Sequence, residues 1–308
     1  MIEISVIIPV YRGADCLQEL RKRLAAVFAM LGVTYEIVFV DDRSPDHAWQ
    51  VLSEMSKAEP AVRAVRLSRN FGQHNAITAG LDLAKGNWIV VMDCDLQDQP
   101  EEIAPLYRKA LEGYDVVVAR RGRRKDPLHR RLTSHLFYAS FRLLSGMKYD
   151  HEVGNFRIIS RKVVDQLIEM REQLRFFGGM VEWLGFSKAT VDVEHAERFA
   201  GESSYNFRRL IRLAAQFILA HSDRPLKFFI FSGFSIALLS FLFGLWILVR
   251  TLIWGTSIQG WASLIVSIYF MGGIILASLG VIGVYLGKVY QEAKGRPLYV
   301  IDQRINFE

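Results

Sequence analysis

Short apolar runs alternate with amphipathic segments through the first part of the chain. Five runs have the length of a strand and are rich in β-branched residues: 4–9, 35–40, 62–67, 88–92 and 116–119. Between them, apolar side chains recur at helical spacing over residues 15–31, 45–57, 75–84 and 100–112. Strands that alternate with helices of this length are typical of a doubly wound α/β sheet in which most strands are parallel. The pattern predicts such a domain over residues 1–204.

The hydrophobic pattern changes after this domain. Residues 205–223 place apolar side chains on one helical face and arginines off it, which predicts a basic helix lying on a membrane surface. Residues 226–250 and 262–287 are each apolar over the roughly 20 residues that a transmembrane helix needs. We therefore predict a two-helix membrane hairpin. Residues 126–146, which are apolar with interspersed Arg and His, predict a further interfacial helix.

Positive charge flanks the two apolar segments. Arg224 and Lys227 accompany the start of the first and Lys288 follows the second, whereas the loop between them holds one cation. The positive-inside rule therefore predicts that the α/β domain and the tail, 288–308, are both cytoplasmic. A short strand-like run in this tail, 298–301, either pairs with a neighbouring subunit or stays unattached.

The protein is basic and has few cysteines. Its 308 residues carry a net charge of +6, with a pI of about 9.3. Basic proteins bind nucleic acid, anionic membranes or phosphorylated substrates, and the predicted membrane segments favour the last two. Cys16 and Cys94 lie inside predicted elements, so we expect reduced thiols and no disulfide framework. The N-terminus leads directly into a strand, and we expect no secretory signal peptide.

Two carboxylates follow the apolar run at residues 88–92. Asp93 and Asp95 stand one residue apart at the predicted carboxyl end of a buried strand, the edge where open α/β sheets bind ligands. Mg²⁺ and Mn²⁺ prefer carboxylate oxygens shared with substrate phosphates. The pair therefore indicates a metal site that holds a nucleotide diphosphate. Taken alone, an Asp-X-Asp sequence is more often a solvated acidic loop.

Polar residues follow the other predicted strands as well. Tyr11 comes after the first strand, Asp41 and Asp42 after the second, and residues 68–70 after the third. The carboxyl ends of parallel strands meet at one edge, so we expect these side chains to converge there. The chain lacks the glycine fingerprints of dinucleotide sites and P-loops, which leaves carboxylates, a metal and arginines to hold a nucleotide.

A cluster of cations follows the fifth predicted strand, over residues 120–131. One interpretation is a solvated loop, or a patch attracted to anionic lipid at about 1 kcal/mol per charge. The other is a grip on substrate phosphate, which the planar arginine fork suits.

Taken together, the motifs resemble those of inverting glycosyltransferase family 2, and more narrowly those of the polyprenyl-phosphate glycosyltransferases. The resemblance covers nearly the whole chain. The motifs that carry it are Pro9-Val10-Tyr11, Val40-Asp41-Asp42-Arg43-Ser44-Pro45-Asp46, Ser68-Arg69-Asn70-Phe71-Gly72, Asp93-Cys94-Asp95-Leu96-Gln97-Asp98 and Arg198-Phe199-Ala200-Gly201-Glu202-Ser203.

The resemblance implies roles for individual residues. It implies a GT-A-type mixed sheet and a base and ribose pocket lined by Pro9, Tyr11 and Asp42. The resemblance also implies that Val10, Val40, Phe71, Gly72, Ser134 and Ser203 bind substrate. Asp93, Asp95 and Gln97 would hold Mg²⁺ or Mn²⁺ on the donor diphosphate. Arg120 or Arg121, with Arg130, Ser134 and Arg198, would grip the phosphates, and residues 198–203 would close over the site.

Four positions, in three motifs, depart from the family pattern. The usual Asn-Glu after Pro-X-Tyr is Arg12-Gly13, so one base-pocket carboxylate is missing. The usual lysine after Gly-Glu-Ser is Ser204, and Asn155 stands where several relatives carry an acid. An acceptor phosphate is already anionic near pH 7, with a second pKa of about 6, so it needs little help from a general base.

The implied reaction moves a sugar from a nucleoside-diphosphate sugar to a polyprenyl phosphate, undecaprenyl phosphate in a bacterium. The resemblance also implies a multi-pass protein of the bacterial inner membrane, a role in building cell-envelope glycans such as lipopolysaccharide, and a tetramer.

Two other functions remain open. A membrane-anchored polysaccharide synthase typically has more spans and a Gln-X-X-Arg-Trp motif, which this chain lacks. A non-catalytic lipid-binding scaffold or flippase subunit would not need Asp93, Asp95 and Gln97 together.

Overall fold

The computed structural model describes residues 2–121, 153–193, 224–254 and 260–307. Contacts divide the chain into two compact units. The first unit combines Met1–Lys125 and Asp150–Ser204 with the tail Arg296–Glu308, and the second combines Asp126–Tyr149 with Tyr205–Gly295. The helices predicted at 126–146 and 205–223 lie outside the described residues.

The first unit is built on an eight-stranded mixed sheet. Its strands are β1 Ile4–Val10, β2 Tyr35–Asp41, β3 Val62–Leu67, β4 Trp88–Val91, β5 Val116–Arg121, β6 Val153–Ser160, β7 Lys188–Val193 and β8 Ile301–Ile305. The order across the sheet is β7-β5-β6-β4-β1-β2-β3-β8. The first five strands match the sequence prediction within two residues at each end.

The middle of the sheet is parallel and buried on both faces. Strand β1 pairs in parallel with β2 and β4, and β2 pairs in parallel with β3. All seven residues of β1 are buried. Strands covered on both faces read as continuous apolar runs, which is why the sequence revealed them.

In the described part of the first unit, six α-helices cover the sheet. They are α1 Ala14–Leu31, α2 Ala48–Ala58, α3 Gln73–Leu83, α4 Ile103–Ala110, α5 Arg161–Glu169 and α6 Phe177–Leu184. Side chains of α1, α2 and α4 share one core cluster with Ile4, Val6 and Ile8. Side chains of α3, α5 and α6 share another with Ile7, because successive strand residues point to opposite faces. The sheet is therefore doubly wound, as predicted.

Three strands escaped the sequence prediction. Strand β6 runs antiparallel between β4 and β5, and β7 lies parallel to β5 at one edge. Strand β8 lies antiparallel to β3 at the other edge. These strands carry more polar residues than the central ones, so their apolar signal is weaker.

The C-terminal tail is part of the sheet. The strand begins at Ile301, three residues later than the predicted run, and it pairs with β3 of its own chain. The Ser68 amide donates to the Val300 carbonyl at 2.9 Å, and the Tyr299 hydroxyl donates to Asp82 Oδ2 at 2.6 Å. Both expectations for this segment, pairing with another subunit and remaining unattached, are therefore wrong. Its partner is an edge strand distant in sequence, which a local pattern does not show.

The described part of the second unit is a pair of long apolar helices, α7 Arg224–Trp254 and α8 Trp261–Ala293, which contact each other. Large apolar side chains such as Phe234, Phe241 and Leu276 are exposed along them. Among the described residues, one segment, Ser267–Ala293, has the length and hydropathy needed to cross a bilayer, and α7 holds a shorter apolar stretch, Ile230–Phe243. By this measure one crossing is supported, and the two-helix hairpin stays a prediction.

Asn306 holds the end of the tail by hydrogen bonds, and its replacement should weaken the attachment of β8 to the sheet. Its backbone has a φ of 64°, in the left-handed region, and its side-chain amide donates to the carbonyls of Ser56 and Val62. We expect Asn306→Ala to cost about 1–3 kcal/mol, because it loses both bonds and places alanine at a strained φ. Thermal unfolding in detergent and hydrogen exchange of residues 301–305 measure this effect.

The matched variant is Asn306→Gly, which removes the bonds but accepts the left-handed φ. It should show the same faster exchange with a smaller loss of stability. Wild-type exchange in both variants would mean that Asn306 does not hold the tail.

Candidate active site

The loops that follow β1 and β2 are bound to each other at the carboxyl edge of the sheet. The Asp42 amide donates to the Val10 carbonyl at 2.9 Å, and the Arg12 amide donates to Ser44 Oγ at 3.2 Å. The Ala14 amide, at the start of α1, donates to Asp46 Oδ2 at 3.2 Å. These bonds give the two loops one shared shape. The convergence predicted from the strand ends is present for this pair.

Asp41 and Asp42 make different structural contacts at the carboxyl edge of the sheet. Asp41 is fully buried, accepts a bond from the Ser44 amide at 2.9 Å and pairs with Arg66 at 3.3 Å. Burial raises the pKa of Asp41, and the bonds from Ser44 and the charge of Arg66 oppose that rise. Asp41 therefore stabilises its own loop.

Asp42 joins the β2 loop to the loop after β3. Its Oδ1 accepts the Phe71 amide at 2.7 Å and its Oδ2 accepts the Gly72 amide at 2.8 Å, although only 3% of the residue is exposed. Burial raises the pKa of Asp42, whereas the two N–H bonds favour its ionised form. Gly72 has a φ of 92°, a backbone conformation that is unfavourable for residues with a side chain. Helix α3 begins at the next residue. The Asp42 carboxylate thus determines where α3 starts.

The acidic turn after β4 is tightly folded. The Gln97 amide donates to Asp95 Oδ1 at 3.2 Å, and Leu96 is buried with a left-handed φ of 60°. The Asp93 and Asp95 residues remain partly exposed. Asp93 Oδ1 accepts a bond from the side-chain amide of Gln73, at 2.7 Å. The turn therefore presents two carboxylates beside the first residue of α3.

These carboxylates fit a hard divalent cation. Asp93 and Asp95 supply oxygen atoms, the ligand type that Mg²⁺ and Mn²⁺ prefer. Among the residues that the structure describes, no three His, Cys, Asp or Glu side chains lie close enough to hold a metal by themselves. A cation bound by this pair would need further oxygen ligands, such as the side-chain amide oxygen predicted for Gln97 and the oxygens of a substrate diphosphate.

The residue between the two carboxylates contacts the first loop. Burial, together with the charges of Asp93 and Asp95, raises the pKa of the Cys94 thiol to about 12. A Cβ added at Gly13 would lie 2.7 Å from Cys94 Sγ. The sulfur therefore occupies the space where a side chain at position 13 would begin. This contact explains in physical terms why glycine suits the position where the family pattern has glutamate.

Strand β6 brings Asn155 towards the acidic turn. Arg157 pairs with Val91, the last residue of β4, and Asn155 lies two residues further along β6, past the end of β4 from which the acidic turn follows. Arg157 is buried and donates to the carbonyls of Gly154 at 2.7 Å and Asn155 at 3.2 Å. It thereby shapes the backbone next to the turn.

The predicted arginines lie at the end of β5 and beyond it. Arg120 forms two bonds with Asp192 of β7, from Nε at 2.6 Å and from a terminal nitrogen at 3.1 Å. Arg121 ends β5. The Arg121 side chain lies outside the described part of the structure, as do Arg130, Ser134, Arg198 and Ser203, so their roles stay predictions.

The predicted nucleotide pocket contains both accessible and inaccessible residues. Tyr11 is 46% exposed, and the Arg12 guanidinium lies 5.6 Å from the centre of its ring. Val10 and Val40 are completely buried in the core clusters, and Pro9 is buried within β1. The two valine side chains therefore pack in the core beneath the loops, and the substrate-binding roles of both residues stay predictions.

Comparison with known proteins decides the family. The model for glycosyl transferase family 2 matches residues 5–168, which include the β1, β2 and β4 loops. The chain belongs to glycosyltransferase family 2. The matched segment contains Asp42, Asp93 and Asp95, so these three carboxylates lie within the family domain.

Full-length relatives of this family 2 glycosyltransferase are also found. It is 40% identical over 311 residues to the uncharacterized glycosyltransferase YkcC of Bacillus subtilis, covering 100% of this chain and 95% of the relative. It is 36% identical over 300 residues to the SfII prophage-derived bactoprenol glucosyl transferase of Shigella flexneri, covering 97% of each. Both alignments include the C-terminal helices and most of the tail.

A solved structure shows the same fold. Glucosyl-3-phosphoglycerate synthase from Mycobacterium tuberculosis, solved with Mn²⁺, uridine diphosphate and phosphoglyceric acid, superposes with a TM-score of 0.51 at 16% identity. The match covers 70% of this chain and 76% of the synthase. At this identity the comparison supports the GT-A-like mixed α/β sheet and nothing about substrates.

Sequence reasoning missed several residues of this family 2 site. Gln73 is the first residue of α3 and directly follows the Phe71-Gly72 motif. Its position beside this motif could therefore have identified it as a site residue. Arg157 and Asp192 had no such signal, because β6 and β7 were not predicted. Asp302 reaches Arg43 at 2.7 Å from the far end of the chain, a contact that only the fold reveals.

The contact between Gly13 and Cys94 predicts that substitutions at these positions are coupled. Gly13→Ala alone should lower stability by about 1–3 kcal/mol, because the new methyl group meets the sulfur. Cys94→Ala removes the sulfur, so Gly13→Ala should cost much less in that background. Thermal unfolding of the four proteins in detergent forms a double-mutant cycle. Additive effects would contradict the steric explanation, since the backbone at Gly13 has a φ of −128°, which any residue adopts.

Proposed function

We propose that this protein transfers a sugar from a nucleoside-diphosphate sugar to a polyprenyl phosphate, with inversion at the anomeric carbon. The observation that carries the proposal is the meeting of the Asp42 loop, the start of α3 and the Asp93–Asp95 turn at one edge of the sheet. The full-length match to a protein named as a bactoprenol glucosyl transferase supports a polyprenyl phosphate as acceptor.

The donor would lie across the carboxyl ends of β1, β2 and β4. Tyr11 offers an exposed ring beside the β1 loop, where a nucleobase can stack. The Asp42 carboxylate holds the Phe71 and Gly72 amides and keeps lone pairs for a ribose hydroxyl. The diphosphate would then extend towards Asp93 and Asp95.

The proposed cofactor is Mg²⁺ or Mn²⁺, held by Asp93, Asp95 and Gln97. When bound, such a cation neutralises charge that develops on the leaving diphosphate. The structure of a distant synthase of the same fold contains Mn²⁺ and uridine diphosphate. Asp93 and Asp95 would orient the diphosphate through the shared cation, and the predicted arginines would contact the remaining phosphate oxygens.

The bond changes need no strong general base. An oxygen of the acceptor phosphate attacks the anomeric carbon while the bond from that carbon to the diphosphate breaks, and the diphosphate leaves with the electron pair. The acceptor oxygen is already anionic near pH 7, since the second pKa of a phosphate monoester is about 6. A neutral amide at Asn155, near the end of β6 beside the acidic turn, is compatible with this chemistry. Orientation of the two bound reactants supplies part of the rate enhancement.

A lipid acceptor requires a membrane anchor. We propose that α7 and α8 cross the bilayer as a hairpin, with the catalytic unit and both termini in the cytoplasm. The exposed apolar side chains of both helices and the cationic flanks support this topology. A homotetramer and a role in the cell envelope remain predictions from the family resemblance.

Removal of either carboxylate should abolish turnover without unfolding the protein. We expect Asp93→Ala and Asp95→Ala to lose about 100-fold or more in transfer rate, as when a major electrostatic stabiliser is removed. The control is Asp165→Ala on α5, an exposed residue whose pair with Arg161 at 3.8 Å is worth little. Circular dichroism checks the fold. Full activity in either site variant would contradict the proposed metal site.

The decisive experiment supplies purified protein with undecaprenyl phosphate and a panel of uridine, guanosine and thymidine diphosphate sugars. Mass spectrometry reports the glycolipid, in reactions with Mg²⁺, with Mn²⁺ and with EDTA. We expect one donor to yield a polyprenyl-phosphate sugar, and EDTA to remove the product. A folded protein that gives no glycolipid from any donor would contradict the proposed reaction.

A further inference from the structure

Gln73 contacts the acidic turn from a different element of the fold. It is the first residue of α3, and its side-chain Nε2 donates to Asp93 Oδ1 at 2.7 Å. The residue is exposed, so this bond does not serve to satisfy a buried amide. The contact instead acts on one of the two carboxylates assigned to the metal.

The position of Gln73 is determined by packing and by Asp42. Further along α3, a Cβ on Gly80 would lie 2.3 Å from the Ile7 side chain, so the helix lies close against β1. At its start, the Phe71 and Gly72 amides are held by the Asp42 carboxylate. The backbone that carries Gln73 is therefore restrained from both ends of the helix.

We propose that Gln73 is a positioning residue for the metal site, a proposal that rests on the proposed function. Its amide holds Asp93 Oδ1 and so fixes the plane of the carboxylate that would share a cation with the donor diphosphate. The bond also connects two parts of the donor site, because Asp42 holds the loop from which Gln73 extends. Nucleoside binding at Asp42 and cation binding at Asp93 thus share one structural support.

The physical argument concerns the freedom of a carboxylate. The terminal torsion of aspartate is broad and roughly two-fold, so each hydrogen bond to an aspartate narrows the orientations that its carboxylate samples. A bond from a neutral amide to an ionised oxygen is charge-assisted, and it restricts this torsion without adding charge. Outer contacts of this kind to metal ligands typically change metal affinity by about 10- to 100-fold.

The test uses full-length protein in detergent and Mn²⁺ as the probe. The variants are Gln73→Met, which keeps the length of the side chain, and Gln73→Ala. The matched control is Gln18→Met, which replaces another exposed helical glutamine of the same unit. Electron paramagnetic resonance measures free Mn²⁺, alone and with UDP, GDP or dTDP, and thermal unfolding checks each protein.

In the presence of the nucleotide with which wild type binds Mn²⁺ most tightly, we expect both Gln73 variants to bind Mn²⁺ at least about tenfold more weakly than wild type. Their melting temperature should be unchanged. The Gln18→Met control should match wild type. In transfer assays the Gln73 variants should recover most of their kcat at high Mn²⁺, which a general loss of structure would not allow.

Two results would overturn the proposal, and they differ in meaning. Wild-type Mn²⁺ affinity in both Gln73 variants would show that Gln73 does not position Asp93, and would leave the proposed function intact. A wild-type protein that binds no Mn²⁺ with any of the nucleotides would overturn the metal site itself.

Discussion

The bidentate contact between Asp42 and the Phe71 and Gly72 amides is the interaction on which the candidate site depends. A nearly buried carboxylate loses most of its hydration, and two backbone N–H groups compensate for that loss. The same bonds close the turn that follows β3 and determine where α3 begins. The helix then presents Gln73 to Asp93. One buried charge therefore connects the ends of β2 and β3 to the acidic turn after β4.

The loops of the carboxyl edge constrain one another in composition as well as in position. The Cys94 sulfur fills the space beside Gly13, so residues from two separate motifs form a single packed contact. Arg12, Arg43 and Leu96 all have left-handed backbone conformations in these loops. Non-glycine residues adopt such conformations when their surroundings hold them, and here the Arg12 amide is bonded to Ser44 Oγ and the Arg43 side chain to Asp302. Contacts within the protein thus hold the loops of this edge, which suits electrostatic catalysis by preorganised groups.

The catalytic unit is not continuous in sequence. After the two apolar helices, the chain returns to add β8 to the sheet beside β3. Tyr299 joins Asp82, which also pairs with Arg171 at 2.8 Å, and Asp302 pairs with Arg43 in the β2 loop. The tail thus contacts both the outer face of α3 and the loop that carries Asp42. A segment of thirteen residues at the C-terminus belongs physically to the domain that begins at the N-terminus.

The sequence by itself determined the parallel core, the acidic turn and the family. Strands covered on both faces must be apolar throughout, and two aspartates after such a strand stand out against it. Only the tertiary structure decided the partners of β6, β7 and β8, the contact of Cys94 with Gly13 and the bond from Gln73 to Asp93. Each of these joins segments that are separated along the chain, and no local periodicity encodes which segments meet. Strand β8 is an example, because apolar and polar residues alternate only weakly along it and it lies at the edge of the sheet. Its position follows from the backbone carbonyls and amides that β3 leaves available for pairing.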